Sequence, residues 1–498
     1  MTEHEGRGRS QAQTAIVGVV LALGVALRLR VYLDNRSLWL DEVLLALNVV
    51  ERDLAGLAGA LAHNQVAPVG FLFVERMMVV LFGASEYALR AFPLVVGIAA
   101  LFVFWRLAAA LLRPLGATMA VAALALSERL IYYATEVKQY GVDAGVTVVL
   151  WALFLALEPR LRRNDAVAWA AAAATGALAI WLSHPAVFVL GAIGFRWLWH
   201  TVQPFTWRSV LVRAPVGLAW AGSFALSYVV ALRPIRGGTK MYEVWREAAV
   251  PIAPVSTEDV RWYVHFVWMH GAVSFGPEMA KVVALACLVG LGVLWWRHRD
   301  QFWWASGAGA LAVLASALGQ YPLTTRLWLF LAPITILLVA AAIDELWLRS
   351  RGRLPLLAPA VAVAMLAFPA VAAARLAAEP PQREEIRPLL QYIRAHYRDG
   401  DRLYLYASTA RPALYYAARG LGFPGEVIVA VSRSGDRSAF ERDAEQLRGK
   451  GRTWVLFSHV RGRGDVNDET LILEALDRIG VRLQERREAG ASAYLYAL

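Results

Sequence analysis

A charge at or inside hydrocarbon is expensive unless it is paired or wet, so ionisable residues beside long apolar runs are the first suspects for chemistry. The sharpest cluster is Trp39-Leu40-Asp41-Glu42, a few residues past the first apolar run and at the head of an amphipathic segment. Adjacent helical residues project about 100° apart. One carboxylate can therefore act as a base while the other meets a cation or the helix N-terminus. The pair could equally do no more than favour a first turn through the helix dipole. A second cluster, Tyr132-Tyr133-Ala134-Thr135-Glu136-Val137-Lys138-Gln139-Tyr140, joins two apolar runs and contains one of only four lysines. Arg326, following Gln320-Tyr321-Pro322, and Arg90, in Glu86-Tyr87-Ala88-Leu89-Arg90, place cations where another apolar run begins. His184 sits alone in a Ser-His-Pro joint. Each has a structural reading too: a solvated interfacial pair, a snorkelling arginine, an aromatic belt or a cap. Together they put a carboxylate pair and several cations at one membrane boundary, where a phosphate-bearing lipid presents its headgroup.

The elements that must position these residues are spans. The chain has 498 residues, 58% of them hydrophobic and 18% charged, with a mean hydropathy of +0.47. That is too apolar for a soluble globular chain. The single cysteine, Cys287, excludes an internal disulfide framework. Of 50 basic residues 46 are arginine, a compositional bias and not a nucleic-acid footprint. A span needs roughly 20 apolar residues. Runs near 14–33, 88–106, 115–134, 140–157, 166–183, 185–199, 209–231, 279–296, 302–319, 326–346 and 354–376 meet that need, so the chain is read as crossing about eleven times. Residues 67–83 are apolar but short and carry Glu75 and Arg76. Reading them as an interfacial helix places the arginines at 7, 9, 106, 113, 160, 162, 163, 208, 297, 299, 349, 351 and 353 on one side. By the positive-inside rule that side is cytoplasmic. The N-terminus is then cytoplasmic, and a first loop (34–87), a second large loop (233–278) and the tail lie outside. Within the first loop, 40–50 and 53–62 have helical amphipathic spacing, with Asp53 as N-cap.

The expected domains are a membrane domain, 1–378, and a C-terminal domain, 379–498. In the latter, β-rich runs at 402–407, 427–431, 453–458 and 492–498 alternate with helical stretches at 384–397, 409–419, 437–448 and 467–479. This predicts a small α/β domain. It has no glycine fingerprint for phosphates, and the chain has no HExxH, CxxC or GxSxG motif. The predicted class is mainly α: a polytopic membrane protein with interfacial helices and a soluble C-terminal domain.

The order of these features resembles a known family. The first span leads to Leu40-Asp41-Glu42, then His63 with Ala67-Pro68, then Leu81-Phe82-Gly83 with Leu89-Arg90. Tyr133, Glu136-Val137-Lys138-Gln139-Tyr140, Tyr321-Pro322, Arg326 and Pro333 follow. This resembles the GT-C glycosyltransferases, in the branch of ArnT-like, RgtA/B/C/D-like and protein O-mannosyltransferase-like proteins, over about residues 14–376. Where many relatives have Glu-x-Arg-x-Tyr, this chain has Glu136-Val137-Lys138-Gln139-Tyr140, keeping the charge but losing bidentate geometry. Where they read His-Pro-Pro-Leu, it reads Asn64-Gln65-Val66-Ala67-Pro68.

The resemblance implies an inverting hexosyl- or pentosyltransferase of the bacterial inner membrane. It would move a sugar from a polyprenyl-phosphate donor to an acceptor hydroxyl of a glycan, lipid or protein at the outer face. Asp41 and Glu42 would be catalytic, and Lys138, Arg326 and Arg90 would bind the donor phosphate. Glu136, Tyr140, His184 and Tyr321 would bind substrate. The scheme requires no metal cofactor and leaves room for a divalent cation. A transporter or flippase, which should show internal repeats or broken helices, and a non-catalytic scaffold are the alternatives.

Overall fold

The structure is a computed structural model and describes residues 3–202, 207–233, 250–251, 255–323, 326–431, 435–463 and 466–498. Of the expected loop at 233–278, residues 234–249 and 252–254 lie outside the described residues, and 257–275 form a helix. The chain forms two compact units: Met1–Asp34 with Arg52–Pro380, and Asn35–Glu51 with Pro381–Leu498. The second unit thus takes in the segment that carries Asp41 and Glu42.

The first unit is helical. In chain order it contains α1 (Glu3–Leu33), α3 (Leu54–Leu57), α4 (Val69–Phe82), α5 (Glu86–Leu111), α6 (Pro114–Leu126) and α7 (Glu128–Tyr133). It continues with α8 (Tyr140–Arg162), α9 (Ala166–Leu182), α10 (Ala186–Val202), α11 (Trp207–Ser227) and α12 (Thr257–Phe275). The last four are α13 (Ala280–Arg297), α14 (Arg299–Ala317), α15 (Ala332–Ser350) and α16 (Leu357–Ala378). The second unit supplies α2 (Leu40–Glu51).

All eleven apolar runs fall on helices. Seven segments among the described residues are long and apolar enough to cross a bilayer, and three shorter apolar helices accompany them. The chain is thus a multi-pass membrane protein. The run 115–134 is interrupted at Ser127, whose extended backbone ends α6 just before Glu128 opens α7. Segment 53–62 forms only the four-residue α3. Asp53 caps it as expected, accepting from the Gly56 amide at 2.8 Å, but Gly56 and Gly59 disfavour continuation. The 14 residues of α4 reach about 21 Å, short of the roughly 30 Å of hydrocarbon. Helix α15 is buried along most of its length, whereas α11 and α13 expose most of theirs, as lipid-facing helices do. Buried Asp344 of α15 accepts from the amides of Arg113 (2.6 Å) and Gly116 (2.8 Å), satisfying the first turn of α6.

In the second unit the helices are α2, α17 (Ile386–Ala395), α18 (Ala410–Tyr416), α19 (Arg437–Leu447) and α20 (Asp468–Asp477). The strands are β1 (Arg402–Leu405), β2 (Glu426–Val429), β3 (Arg452–Ser458), β4 (Gly462–Arg463), β5 (Val466–Asn467), β6 (Val481–Glu488) and β7 (Ala491–Ala497). The main sheet runs β2-β1-β3-β7-β6, with parallel pairing among the first three and antiparallel pairing from β3 onward. Every predicted strand is present. The additional edge strand β6, VRLQERRE, is charged and largely exposed, so it carries no apolar signal. Tyr404, Phe440, Val455, Phe457, Leu476, Tyr494 and Tyr496 pack one core. Beneath the sheet end, buried Asp401 accepts from Arg452 Nε (2.8 Å), Trp454 Nε1 (3.2 Å) and the Arg398 amide (3.0 Å).

Candidate active site

The acidic pair opens α2, and the C-terminal domain holds that opening. A helix start leaves amide N–H groups without intrahelical acceptors. Here side chains remote in sequence hold the first helical amide and the residues that lead into it. Glu385 accepts from the Ser37 amide (3.0 and 3.1 Å) and hydroxyl (2.8 Å). Tyr416 Oη accepts from the Leu38 amide at 2.9 Å, and Glu384 Oε2 accepts from the Leu40 amide at 2.9 Å. The Arg387 guanidinium donates to the Asn35 carbonyl (2.5 Å), and the Arg383 guanidinium lies 4.4 Å from the Trp39 ring centroid. Glu42 is fully buried and Asp41 partly so. His459 adds a second link, its Nδ1 lying 2.7 Å from Glu384 Oε1. The Glu384 hydrogen bond, and more weakly the negative charge of Asp41, raise the His459 pKa. Beside this pair lies a cavity of about 420 Å³ lined by Arg383, Glu384, His459, Glu469, Arg487 and Ser492, among others. Sequence reading missed Glu384 and His459. Their only signal was an acid and a histidine in a domain without its own catalytic motif.

The other candidates lie in the membrane unit; all but Arg90, which is in α5, fall at the α7–α8, α9–α10 and α14–α15 joints. Between α7 and α8 the chain makes a tight turn, with the Lys138 amide donating to the Glu136 carbonyl at 2.7 Å. Tyr132 Oη donates to Glu136 Oε1 at 3.2 Å, and Thr135 Oγ1 donates to the Tyr132 carbonyl at 3.0 Å. Glu136 and Lys138 are buried, so they are not a solvated surface pair. Lys138 Nζ donates to Gln65 Oε1 at 2.7 Å, and Gln139 Nε2 to the Val66 carbonyl at 3.3 Å. An amide oxygen orients an ammonium through a hydrogen bond and brings no counter-charge of its own. The segment Asn64–Pro68 therefore supplies Gln65, which holds the lysine. That partner was not visible in the sequence.

Tyr140 starts α8 and stacks edge-on to Tyr133, with centroids 5.5 Å apart. The Arg326 guanidinium lies 5.3 Å from the Tyr140 ring, bringing together residues far apart in the sequence. Gly141 permits the close approach of α8 to the end of α7: a Cβ there would lie 2.4 Å from the Tyr133 carbonyl oxygen. Tyr321 donates to the Leu327 carbonyl at 3.0 Å and packs on Phe188 at 5.1 Å. Burial, with nearby Asp143 and Tyr140, holds its phenol well above the usual range, so it stays protonated. His184 is buried, which pushes its pKa down to about 4. The ring is neutral at physiological pH and offers a hydrogen bond, not a cation. Arg90 is almost wholly buried in the first turn of α5, after the Ser85 cap. Among the described residues no three His, Cys, Asp or Glu side chains are grouped to hold a metal.

Glu75, in α4, is a further buried acid. Neither carboxylate oxygen has a hydrogen-bond partner among the described residues, and burial raises its pKa well above the ordinary value.

No known protein family and no curated protein matches the sequence. Solved structures do match the fold. The apo crystal structure of ArnT from Cupriavidus metallidurans superposes with a TM-score of 0.55 at 14% identity, covering 99% of this chain and 98% of that one. The same protein bound to undecaprenyl phosphate gives 0.51 at 15% identity, covering 98% of each. The oligosaccharyltransferase AglB from Archaeoglobus fulgidus, in complex with an inhibitory peptide and a dolichol-phosphate, gives 0.51 at 11% identity, covering 98% of this chain and 74% of that one. The chain has the fold of the GT-C glycosyltransferases.

Proposed function

We propose that this protein is an inverting membrane glycosyltransferase that uses a polyprenyl-phosphate-linked sugar and works at the outer face of the cytoplasmic membrane. The observation that carries the reading is the clamped carboxylate pair at the head of α2, in a chain whose whole length takes the GT-C fold. The ArnT structure bound to undecaprenyl phosphate and the AglB structure with a dolichol-phosphate support a lipid-phosphate donor by analogy of fold.

In this mechanism Asp41 accepts the proton of the acceptor hydroxyl, a general-base role worth roughly 10²–10⁴-fold. The hydroxyl oxygen bonds to the anomeric carbon as the bond from that carbon to the phosphate oxygen breaks. The electron pair leaves with the polyprenyl phosphate, and the configuration inverts. Lys138 and Arg326, with Arg90, stabilise the departing phosphate, where negative charge grows as the bond breaks. Glu42 orients a cation or the sugar. Tyr140 holds Arg326 by its ring face, while Glu136, Tyr321 and His184 shape the surroundings of the sugar. No metal is needed for these steps, although a divalent ion beside Asp41 and Glu42 is compatible with them. The acceptor is a glycan, lipid or protein hydroxyl.

The test is transfer of radiolabelled sugar from a polyprenyl-phosphate donor in membranes. Asp41→Asn should abolish transfer while the protein stays folded, and Lys138→Ala and Arg326→Ala should weaken donor use. Normal turnover by Asp41→Asn removes the base assignment. A transporter would instead move its substrate without forming a glycosidic bond.

A further inference from the structure

The cavity of about 420 Å³ beside Glu384 and His459 lies at the carboxyl end of β3, the end at which open α/β sheets bind their ligands. Ser458, the last residue of β3, pairs with Ala491 at the start of β7, so His459 and Ser492 meet there from neighbouring strands. Glu469 enters from the first turn of α20. The β6–β7 turn is locked against the segment before α17. The Glu385 amide donates to the Ala489 carbonyl at 2.8 Å, and a Cβ on Gly490 would lie 1.7 Å from the Arg383 carbonyl oxygen. His459 has a left-handed backbone (φ 51°), uncommon for a residue other than glycine and concentrated at ligand clamps. Its ring is held by Glu384 Oε1, 2.7 Å from Nδ1.

The polar lining is open to solvent: His459 keeps 41% of its side-chain surface, Arg487 62% and Glu488 28%, and Glu469 is half-buried. It also has capacity left. Glu469 accepts from the Ser492 hydroxyl (2.6 Å) and the Tyr494 phenol (2.7 Å) on Oε1, and Glu488 accepts from Arg486 on Oε1. The Oε2 atoms of both take no hydrogen bond among the described residues. Arg487 donates from Nε to Glu485 at 2.6 Å, and its terminal nitrogens make no hydrogen bond among those residues. Acceptor-only carboxylates thus stand beside donor-only guanidinium groups. An anion would meet three carboxylates there and a cation two guanidiniums, while a lipid chain would find only Val460 and Ala491 as apolar side chains. The fitting occupant is neutral and crowded with groups that both donate and accept. A hydroxyl does both, and a sugar ring carries several close together. A peptide spreads its backbone donors over roughly 3.3–3.6 Å per residue. The volume lies in the range of roughly 300–1,000 Å³ of small-molecule sites.

We propose that this cavity is the acceptor subsite and that the acceptor is a saccharide, an inference that rests on the transferase reading. Sugar hydroxyls donate to Glu469 and Glu488 and accept from Arg487. Glu384 ties the subsite to the reaction: the carboxylate that holds His459 at the cavity also takes the Leu40 amide at 2.9 Å, one residue before Asp41.

Saturation-transfer difference NMR on the full-length protein in lauryldimethylamine oxide, a detergent without a sugar head, tests the proposal. The probes are the methyl glycosides of glucose, galactose, mannose and N-acetylglucosamine at millimolar concentration, with the blocked tripeptide Ala-Ser-Ala as the protein-acceptor control. At least one glycoside should bind. Arg487→Gln and Glu488→Gln, both at solvent-exposed side chains, should each weaken its affinity about tenfold. Binding of no glycoside, unchanged affinity in both variants, or binding of the tripeptide alone overturns the assignment. A second arm separates this inference from the reading beneath it. In membranes given radiolabelled polyprenyl-phosphate sugar, linkage analysis should find the labelled sugar on another sugar. Label on a peptide or on a lipid hydroxyl refutes the saccharide acceptor and keeps the transferase. Glycoside binding without any transfer refutes the transferase, and with it the acceptor role, while the saccharide site stands.

Discussion

Removing Glu384 should loosen the head of α2 without touching Asp41 itself. Its Oε2 takes the Leu40 amide at 2.9 Å and its Oε1 meets His459 Nδ1 at 2.7 Å. Hydrogen bonds to a charged group contribute about 1.5–3 kcal/mol, and more is lost when a buried donor is stranded. The His459 pair adds little, since 41% of that side chain is exposed and solvent screens it. Glu384→Ala should therefore raise local opening of residues 38–45 roughly 10- to 150-fold, read as faster amide hydrogen exchange. Glu384→Gln retains an acceptor for Leu40 and should lose less. A pH signature separates the two bonds. His459 has a raised folded pKa, so its stabilising share is full below the ordinary histidine value of about 6.5 and is lost as pH rises through the folded value. The margin of the wild type over Glu384→Gln, after correction for intrinsic exchange, should shrink over that interval. If position 41 is the base, the alanine variant should also lose turnover more than donor affinity. Wild-type protection at residues 38–45 in Glu384→Ala would refute the clamp.

Three further outcomes follow from the packing. Gly141→Ala would drive a methyl group against the Tyr133 carbonyl and separate α7 from α8; it should cost about 1–3 kcal/mol, and an unchanged melting temperature would contradict this. Glu75, buried with a raised pKa, should stabilise the fold at acid pH and progressively less as pH rises through its folded value. Glu75→Gln should flatten that part of the pH–stability profile, and an identical profile would remove the assignment. Asp401→Ala strands Arg452 and Trp454 and should destabilise the C-terminal domain by about 3–5 kcal/mol, seen as an earlier unfolding step by near-ultraviolet circular dichroism.

Much was legible because the bilayer writes directly into composition. Apolar runs of span length must become helices, since backbone groups find no water to bond in hydrocarbon. All eleven runs accordingly lie in helices, and the alternating runs of the tail became strands and helices in the expected order. The Asp41-Glu42 pair and the Glu136-to-Tyr140 cluster stood out for the same reason, as polar chemistry beside apolar runs. Strand β6 did not stand out, because an exposed edge strand needs no apolar alternation.

The pairings were decided by tertiary structure alone. Gln65 reaches Lys138 across 73 residues, Tyr140 meets Arg326 across nearly 190, and Glu384 caps Leu40 across 344. A hydrogen bond is satisfied by whichever acceptor the fold delivers within about 3 Å. The chain therefore announces that a charge must be held, while the packed helices choose what holds it.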